Sequence, residues 1–242
     1  MTLIFAHRGF SALYPENTML AFMKAEKTGV DGIELDVQLT KDQEVVVIHD
    51  EKVNRTTDGT GYVKELTFSE MKRLNAGSKR ILLKKVSVPS LREVLEWLTT
   101  NHLICNIELK NNVFVYEGME EKVIQLIREF GLSDRIILSS FNHYSLVQCC
   151  ELAPEIETAP LLSQKIYQPW VYAASIGAGG IHPKYATLSD DILEQSIANG
   201  IAVRPYTVNK EKQMRRLFQA GCTAFFTDDP AYAVSLRRQF DI

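Results

Sequence analysis

A chain of 242 residues with 45% apolar and 24% charged side chains has the make-up of an ordinary globular protein, which excludes disordered, collagen-like and fibrous classes. Lys and Arg number 27 against 30 Asp and Glu, a net charge of −3, so neither a nucleic-acid coat nor a basic membrane-binding surface is expected, although a local positive pocket is compatible with that balance. The four cysteines (Cys105, Cys149, Cys150 and Cys222) lack zinc-type spacing and are too few for a disulfide framework, so they are expected to be reduced. The N-terminal run Leu3-Ile4-Phe5-Ala6 meets charge at Arg8, and no apolar stretch reaches the roughly 18 residues of a membrane span. A cytoplasmic protein without stable membrane insertion follows as the expectation.

In chain order, residues 3–6 read as a short buried strand, and Asn17 or Thr18 caps a helix through Ala21, Phe22 and Ala25 that stops at Gly29. Residues 33–39 form a second strand. The apolar run 44–48 follows the turn at Lys41-Asp42 so closely that it pairs locally with that strand instead of adding a crossover. From about 51 to 88 the periodicity fails, turn residues cluster at Asp58-Gly59-Thr60-Gly61, and one short helix near 69–74 is expected. Alternation resumes with a helix over 90–98, a strand over 103–109 and a helix over 117–130 ended by Gly131. Strands at 136–138, 156–160, 179–182, 201–206 and 223–226 follow, separated by helical segments, the clearest being 190–198 and 210–219. With 44–48 set aside, eight strands each precede a helical segment. This predicts an α/β fold, a (β/α)8 TIM barrel in a single domain over residues 1–242, with a small insertion at about 51–88 after the second unit's strand pair. A doubly wound open sheet is the structural alternative.

Ionisable residues sit at the C-terminal ends of the predicted strands, the catalytic face of a barrel. The first ends in His7-Arg8-Gly9, the second carries Glu34-Leu35-Asp36, the extra run ends in His49-Asp50, and the third ends in Glu108-Leu109-Lys110. Residues two apart on a strand share a face, so Glu34 and Asp36 aim together, and Glu108 and Lys110 repeat the arrangement. Three converging carboxylates would repel one another and take up protons unless a cation held them. The expected occupant is one hard, oxygen-preferring divalent ion, Mg²⁺ or Ca²⁺, and zinc is disfavoured because no thiolate or imidazole cluster joins them. Arg8 offers a planar fork and Lys110 a point charge for phosphoryl oxygens, while His7 and His49 titrate near neutral pH and can exchange protons.

These residues resemble a known family. His7-Arg8-Gly9, Pro15-Glu16-Asn17-Thr18, Glu34-Leu35-Asp36-Val37, His49-Asp50, Arg55-Thr56-Thr57-Asp58-Gly59-Thr60-Gly61 and Glu108-Leu109-Lys110 are similar to segments of the bacterial glycerophosphodiester phosphodiesterases. Ser140-Phe141, Tyr206-Thr207-Val208-Asn209 and Thr227-Asp228 extend the likeness along nearly the whole chain, in order. The resemblance implies a TIM barrel, a divalent metal, and hydrolysis of small glycerophosphodiesters to glycerol 3-phosphate and an alcohol. It also implies His7 and His49 as the acid/base pair, Glu34, Asp36 and Glu108 as metal ligands, and Arg8, Lys110, Phe141 and Tyr206 as phosphate or substrate contacts. One departure is visible: the family often has Trp where this chain has Tyr206, which leaves the shape of the alcohol side open.

Blander roles compete at several positions. A lone Glu-x-Asp is usually a solvated face, and a lone histidine at a strand end can simply cap it; here the two histidines and three carboxylates share the catalytic face. His102 and His143 read as structural, His182 beside Pro183 is a candidate pocket lining, and Glu16 is a candidate for holding the site's inner residues in place. Cys149-Cys150 reads as helix packing, and the run 177–180 lacks dinucleotide or P-loop spacing. Two rivals remain: an enzyme of intact phospholipid, against which stands the lack of any exposed apolar or basic membrane-docking stretch in the sequence, and a barrel that binds a phosphorylated ligand without turnover.

Overall fold

The computed structural model describes residues 1–77 and 85–240. Its strands are β1 (Leu3–Ala6), β2 (Gly32–Leu39), β3 (Val45–Val47), β4 (Ile104–Leu109), β5 (Ile136–Ser140), β6 (Glu157–Leu162), β7 (Gly180–Pro183), β8 (Ala202–Val203) and β9 (Ala224–Thr227). All but β3 pair in parallel in the order β8-β7-β6-β5-β4-β2-β1-β9. The ends then meet: the Phe226 N–H donates to the Pro205 carbonyl at 3.0 Å and the Val208 N–H to the Phe226 carbonyl at 2.8 Å. This closure makes a parallel eight-stranded barrel and removes the open-sheet alternative. β3 turns back antiparallel on β2, with Val37 opposite Val47 and Leu39 opposite Val45, as the short turn at Lys41-Asp42 predicts.

The period of two along each strand divides the core. Ile33, Leu35 and Val37 of β2 and Cys105, Ile107 and Leu109 of β4 belong to the shell between strands and helices. Their neighbours face inward, where Phe5, Ile137, Ala159, Ala224 and Phe226 make a small apolar plug in the barrel. The surrounding helices are α1 (Met19–Glu26), α2 (Phe68–Arg73), α3 (Leu91–Leu98), α4 (Met119–Glu129), α5 (His143–Leu152), α6 (Pro169–Ser175), α7 (Asp190–Ala198), α8 (Glu211–Gln219) and α9 (Pro230–Arg237). Helix starts follow capping chemistry: Ser90 and Glu93 close a capping box on α3, and the Ser189 hydroxyl accepts the Ile192 N–H. For α1 the cap is Thr18, whose hydroxyl accepts the Ala21 N–H, while Asn17 lies outside in left-handed backbone and does something else.

One expectation needs adjusting. The strand expected over 201–206 keeps regular pairing only at Ala202–Val203, although the Arg204 and Tyr206 N–H groups still donate to Ile181 and Pro183 carbonyls. Pro183 and Pro205 each lack an N–H, so a continuous ladder cannot form across this seam. Within the excursion, α2 opens with a Thr67–Glu70 capping box, and Val46, Ile48, Val53, Val63, Met71, Ala76 and Val88 form a small separate cluster against the β3 side. Residues 78–84 of the expected insertion lie outside the described residues.

Candidate active site

The turn after β1 sets the first two functional groups. Gly9 sits at φ +78°, and a Cβ there would lie 2.8 Å from the Ala21 carbonyl carbon and side chain, so only glycine lets the loop pass so close to α1. Arg8 also adopts positive φ, +56°, and its N–H donates to Glu34 Oε2 at 2.8 Å, which offsets the cost of that conformation. The strained turn therefore locks Arg8 to the carboxylate of the neighbouring strand.

Glu34 and Asp36 are buried and Glu108 nearly so, with 12% of its side chain exposed, and one carboxylate oxygen from each lies within 4.8 Å of the other two. The parallel register places Asp36 beside Glu108, so adjacent inward positions bring the three together. Burial raises the Glu34 and Glu108 carboxyls, and the charge of Asp36 raises them further; Glu108 is pushed up to about 7 despite its 2.8 Å bond from Lys110 Nζ. For Asp36, burial is outweighed by Arg8, His49, Lys110 and a hydrogen bond from Asn17 Nδ2 at 2.8 Å, which together hold it below the usual carboxylate range. Asp36 Oδ1 is enclosed and has no hydrogen-bond partner. An orphaned oxygen amid three clustered carboxylates, with no sulfur or imidazole in the set, fits a hard divalent cation.

The raised carboxyls give a testable pH dependence. A carboxyl whose folded-state value lies above its unfolded value of 4.5 favours the fold while protonated, so its contribution is complete at low pH and fades as pH rises toward about 7. The cation-free protein should therefore lose thermal stability between about pH 5 and about pH 8, and saturating Mg²⁺ or Ca²⁺ should stabilise it far more at the higher pH. Thermal unfolding with and without cation at both pH values checks this; an equal shift at both would contradict it.

Each histidine is backed by a carboxylate. His7 Nδ1 lies 2.7 Å from Asp228 Oδ1, and Asp228 is held by Asn209 Nδ2 at 2.5 Å and by the Ser11 hydroxyl at 3.2 Å. His49 Nδ1 lies 2.6 Å from Asp50 Oδ1, while its Nε2 lies 3.3 Å from Lys110 Nζ. An ammonium can only donate, so the second contact makes Nε2 an acceptor and puts the ring proton on Nδ1. Burial lowers the His49 pKa and the nearby Arg8 and Lys110 charges lower it further, against the pull of Asp36. Arg55 bridges two carboxylates, donating to both Asp50 oxygens and, at 2.7 Å each, to both Glu16 oxygens; it holds Asp50 down to about 2. Glu16 in turn accepts from Arg8 at 2.8 Å, so one chain of ion pairs runs from His49 to the turn after β1.

A cleft of ≈ 280 Å³ is lined by His7, Arg8, Glu34, His49, Asn106, Glu108, Phe141, Leu161, His182, Tyr206, Thr207 and Phe226. Asp36, Lys110 and Glu16 stand just behind this lining. His182 therefore does line the cleft, whereas His143 is structural, bonded to the Tyr172 hydroxyl and the Leu161 carbonyl. Cys149 is buried, as helix packing requires. Sequence reasoning assigned no role to Asp50, Arg55 or Asp228, and offered Asn17 or Thr18 as a cap; all four lay inside the recognised segments, but nothing in the sequence showed which residues they would meet. Asn106 was missed too, although it stands two residues before Glu108 on the same face of β4. Exposed apolar side chains Leu13, Val113, Val115, Tyr144 and Tyr167 sit in or beside the loops that follow β1, β4, β5 and β6, around the cleft mouth. Coming from four loops, they make no contiguous stretch in the sequence. Among the described residues no helix is long and apolar enough to cross a membrane.

The model of the glycerophosphoryl diester phosphodiesterase family matches residues 7–232. A glycerophosphodiester phosphodiesterase of Bacillus altitudinis is 47% identical over 243 residues, covering 99% of each chain. One from Caldanaerobacter subterraneus subsp. tengcongensis is 42% identical over 241 residues, covering 98% of each. Among solved structures, an Oleispira antarctica phosphodiesterase in complex with the product sn-glycerol-3-phosphate superposes with a TM-score of 0.90 at 28% identity, covering 98% of this chain and 97% of that one.

Proposed function

The chain belongs to the glycerophosphoryl diester phosphodiesterase family, and on that premise we propose that it hydrolyses small glycerophosphodiesters to sn-glycerol 3-phosphate and an alcohol, in the cytoplasm, with Mg²⁺ or Ca²⁺. The observation that carries this reading is the convergence of three clustered carboxylates and two carboxylate-backed histidines on one small cleft. The product seen in the Oleispira antarctica relative supports the same substrate class. A barrel that merely bound a phosphate would have no use for two carboxylate-backed imidazoles lining one cleft.

In this reading Glu34, Asp36 and Glu108 hold the cation, which when bound neutralises charge on a phosphoryl oxygen. Arg8 and Lys110 take the other phosphoryl oxygens, and Glu16 and Arg55 keep Arg8 and Asp50 in position. Phe141 and Tyr206, packed edge to face at 6.1 Å, wall the alcohol side. His49, neutral and hydrogen-bonded to Asp50, starts as the base, and His7 as the acid. The glycerol 2-hydroxyl gives its proton to His49 as its oxygen forms a bond to phosphorus, and the bond to the alcohol breaks as that oxygen takes a proton from His7. The roles reverse when water opens the resulting cyclic phosphate.

The test is a panel of glycerophosphodiesters with one analogue lacking only the 2-hydroxyl. The parent compounds should yield sn-glycerol 3-phosphate, with a cyclic phosphate trapped at short times, and the analogue should bind without turning over. Turnover of the analogue at the parent rate would mean that water attacks directly. The apolar rim favours a second reading, action on a lipid-borne phosphodiester presented at an interface. Adding a lysophospholipid to the panel separates the two by relative kcat/KM.

A further inference from the structure

His182 is wholly buried, lines the cleft, and has neither ring nitrogen hydrogen-bonded. Asn106 is 1% exposed and lines the same cleft; its Nδ2 donates to the Ser139 hydroxyl at 2.9 Å, but its Oδ1 has no partner. Buried polar groups in folded proteins are almost always paired, so two orphans in one cleft point to a partner that is not the protein. Their neighbours say where they lie. Asn106 is in register with Glu34, one inward position below Glu108, and His182 stands beside Leu161 with its ring 4.9 Å from the Phe226 ring, which belongs to the apolar plug. The orphans therefore mark the closed inner end of the cleft, where Asn106 stands level with Glu34 and His182 lies against the plug.

We infer that His182 and Asn106 form a hydroxyl-reading subsite that takes the terminal primary hydroxyl of the substrate's glycerol moiety. The inference rests on the function proposed above and adds to it the group that selects glycerol. A neutral imidazole presents one N–H and one lone pair, and a hydroxyl is the small group that can pair with either; Asn106 Oδ1 adds a second acceptor. Burial and the Arg204 charge keep His182 uncharged, so it suits a neutral hydroxyl and not a carboxylate or phosphate. The closed end of a cleft suits the constant three-carbon half of the substrate. The alcohol, which differs between glycerophosphodiesters and must depart, belongs toward the open mouth.

The experiment compares a glycerophosphodiester with its analogue in which the terminal glycerol hydroxyl is replaced by hydrogen and the 2-hydroxyl is kept. Wild-type protein should show a kcat/KM lower by roughly 10- to 100-fold for the analogue, because both orphaned groups then stay unpaired. His182→Phe should bring the two substrates to within about 2-fold of each other, and His182→Gln, which can still hydrogen-bond, should restore part of the preference. A residue with only a packing role would change both substrates alike and leave their ratio intact. Equal turnover of parent and analogue by the wild type would overturn the subsite whatever the variants do, since a buried water would then satisfy the ring. Failure of the wild type to hydrolyse the parent would instead remove the proposed function, and the subsite with it.

Discussion

Stripping the divalent cation should abolish hydrolysis, and adding Mg²⁺ or Ca²⁺ should restore it. Without a cation, Glu34 and Glu108 are driven toward their protonated forms by burial and by Asp36, so the site loses both its positive centre and the charge that would recruit one. Arg8 and Lys110 contact the phosphate as well but cannot replace the cation, because part of their charge already balances Glu16 and Asp36 or Glu108. The loss should be about 10³-fold or more, the scale on which electrostatic stabilisation of a phosphoryl transition state operates. Replacing one ligand, as in Glu108→Gln, should give a comparable loss and raise the cation concentration needed for half-maximal activity. Full activity in excess chelator, after dialysis against it, would rule the carboxylate cluster out as a metal centre.

His7→Ala and His49→Ala should each lower kcat by about 10² to 10⁴, the usual worth of a general acid or base. Thermal stability should change little, because each ring is partly exposed and its main polar partner, Asp228 or Asp50, keeps other hydrogen bonds: Asn209 and Ser11 for the one, Arg55 for the other. Asp228→Asn should reproduce part of the His7 loss. It preserves shape but replaces the carboxylate that orients the ring and fixes its tautomer. Near-normal turnover by either alanine variant would exclude that histidine from the chemistry.

Much of this molecule was legible because β-structure writes its geometry into adjacent residues. Ile33, Leu35 and Val37 alternate with Glu34 and Asp36, and that period of two by itself determined that the carboxylates share a face opposite the shell core. Turn chemistry did the same for β3, and apolar periodicity located α3 and α7. The recognised segments placed His7, His49, Glu34, Asp36 and Glu108 on one site before any coordinates. Other features belong to the tertiary structure alone. His7 meets Asp228 across 221 positions of sequence, and Arg55 meets Glu16 across 39. Such contacts leave no periodic trace, because a single side-chain hydrogen bond constrains two residues and not the run between them. Barrel closure is of the same kind: whether β9 returns to β8 and β1 depends on the accumulated twist and tilt of every strand between. The orphaned nitrogens of His182 are a further step removed, since a lone histidine beside a proline says nothing about what surrounds it. Only the closed barrel, which sets Phe226 against the ring and Leu161 beside it on the next strand, decided that this imidazole would be buried with neither ring nitrogen hydrogen-bonded.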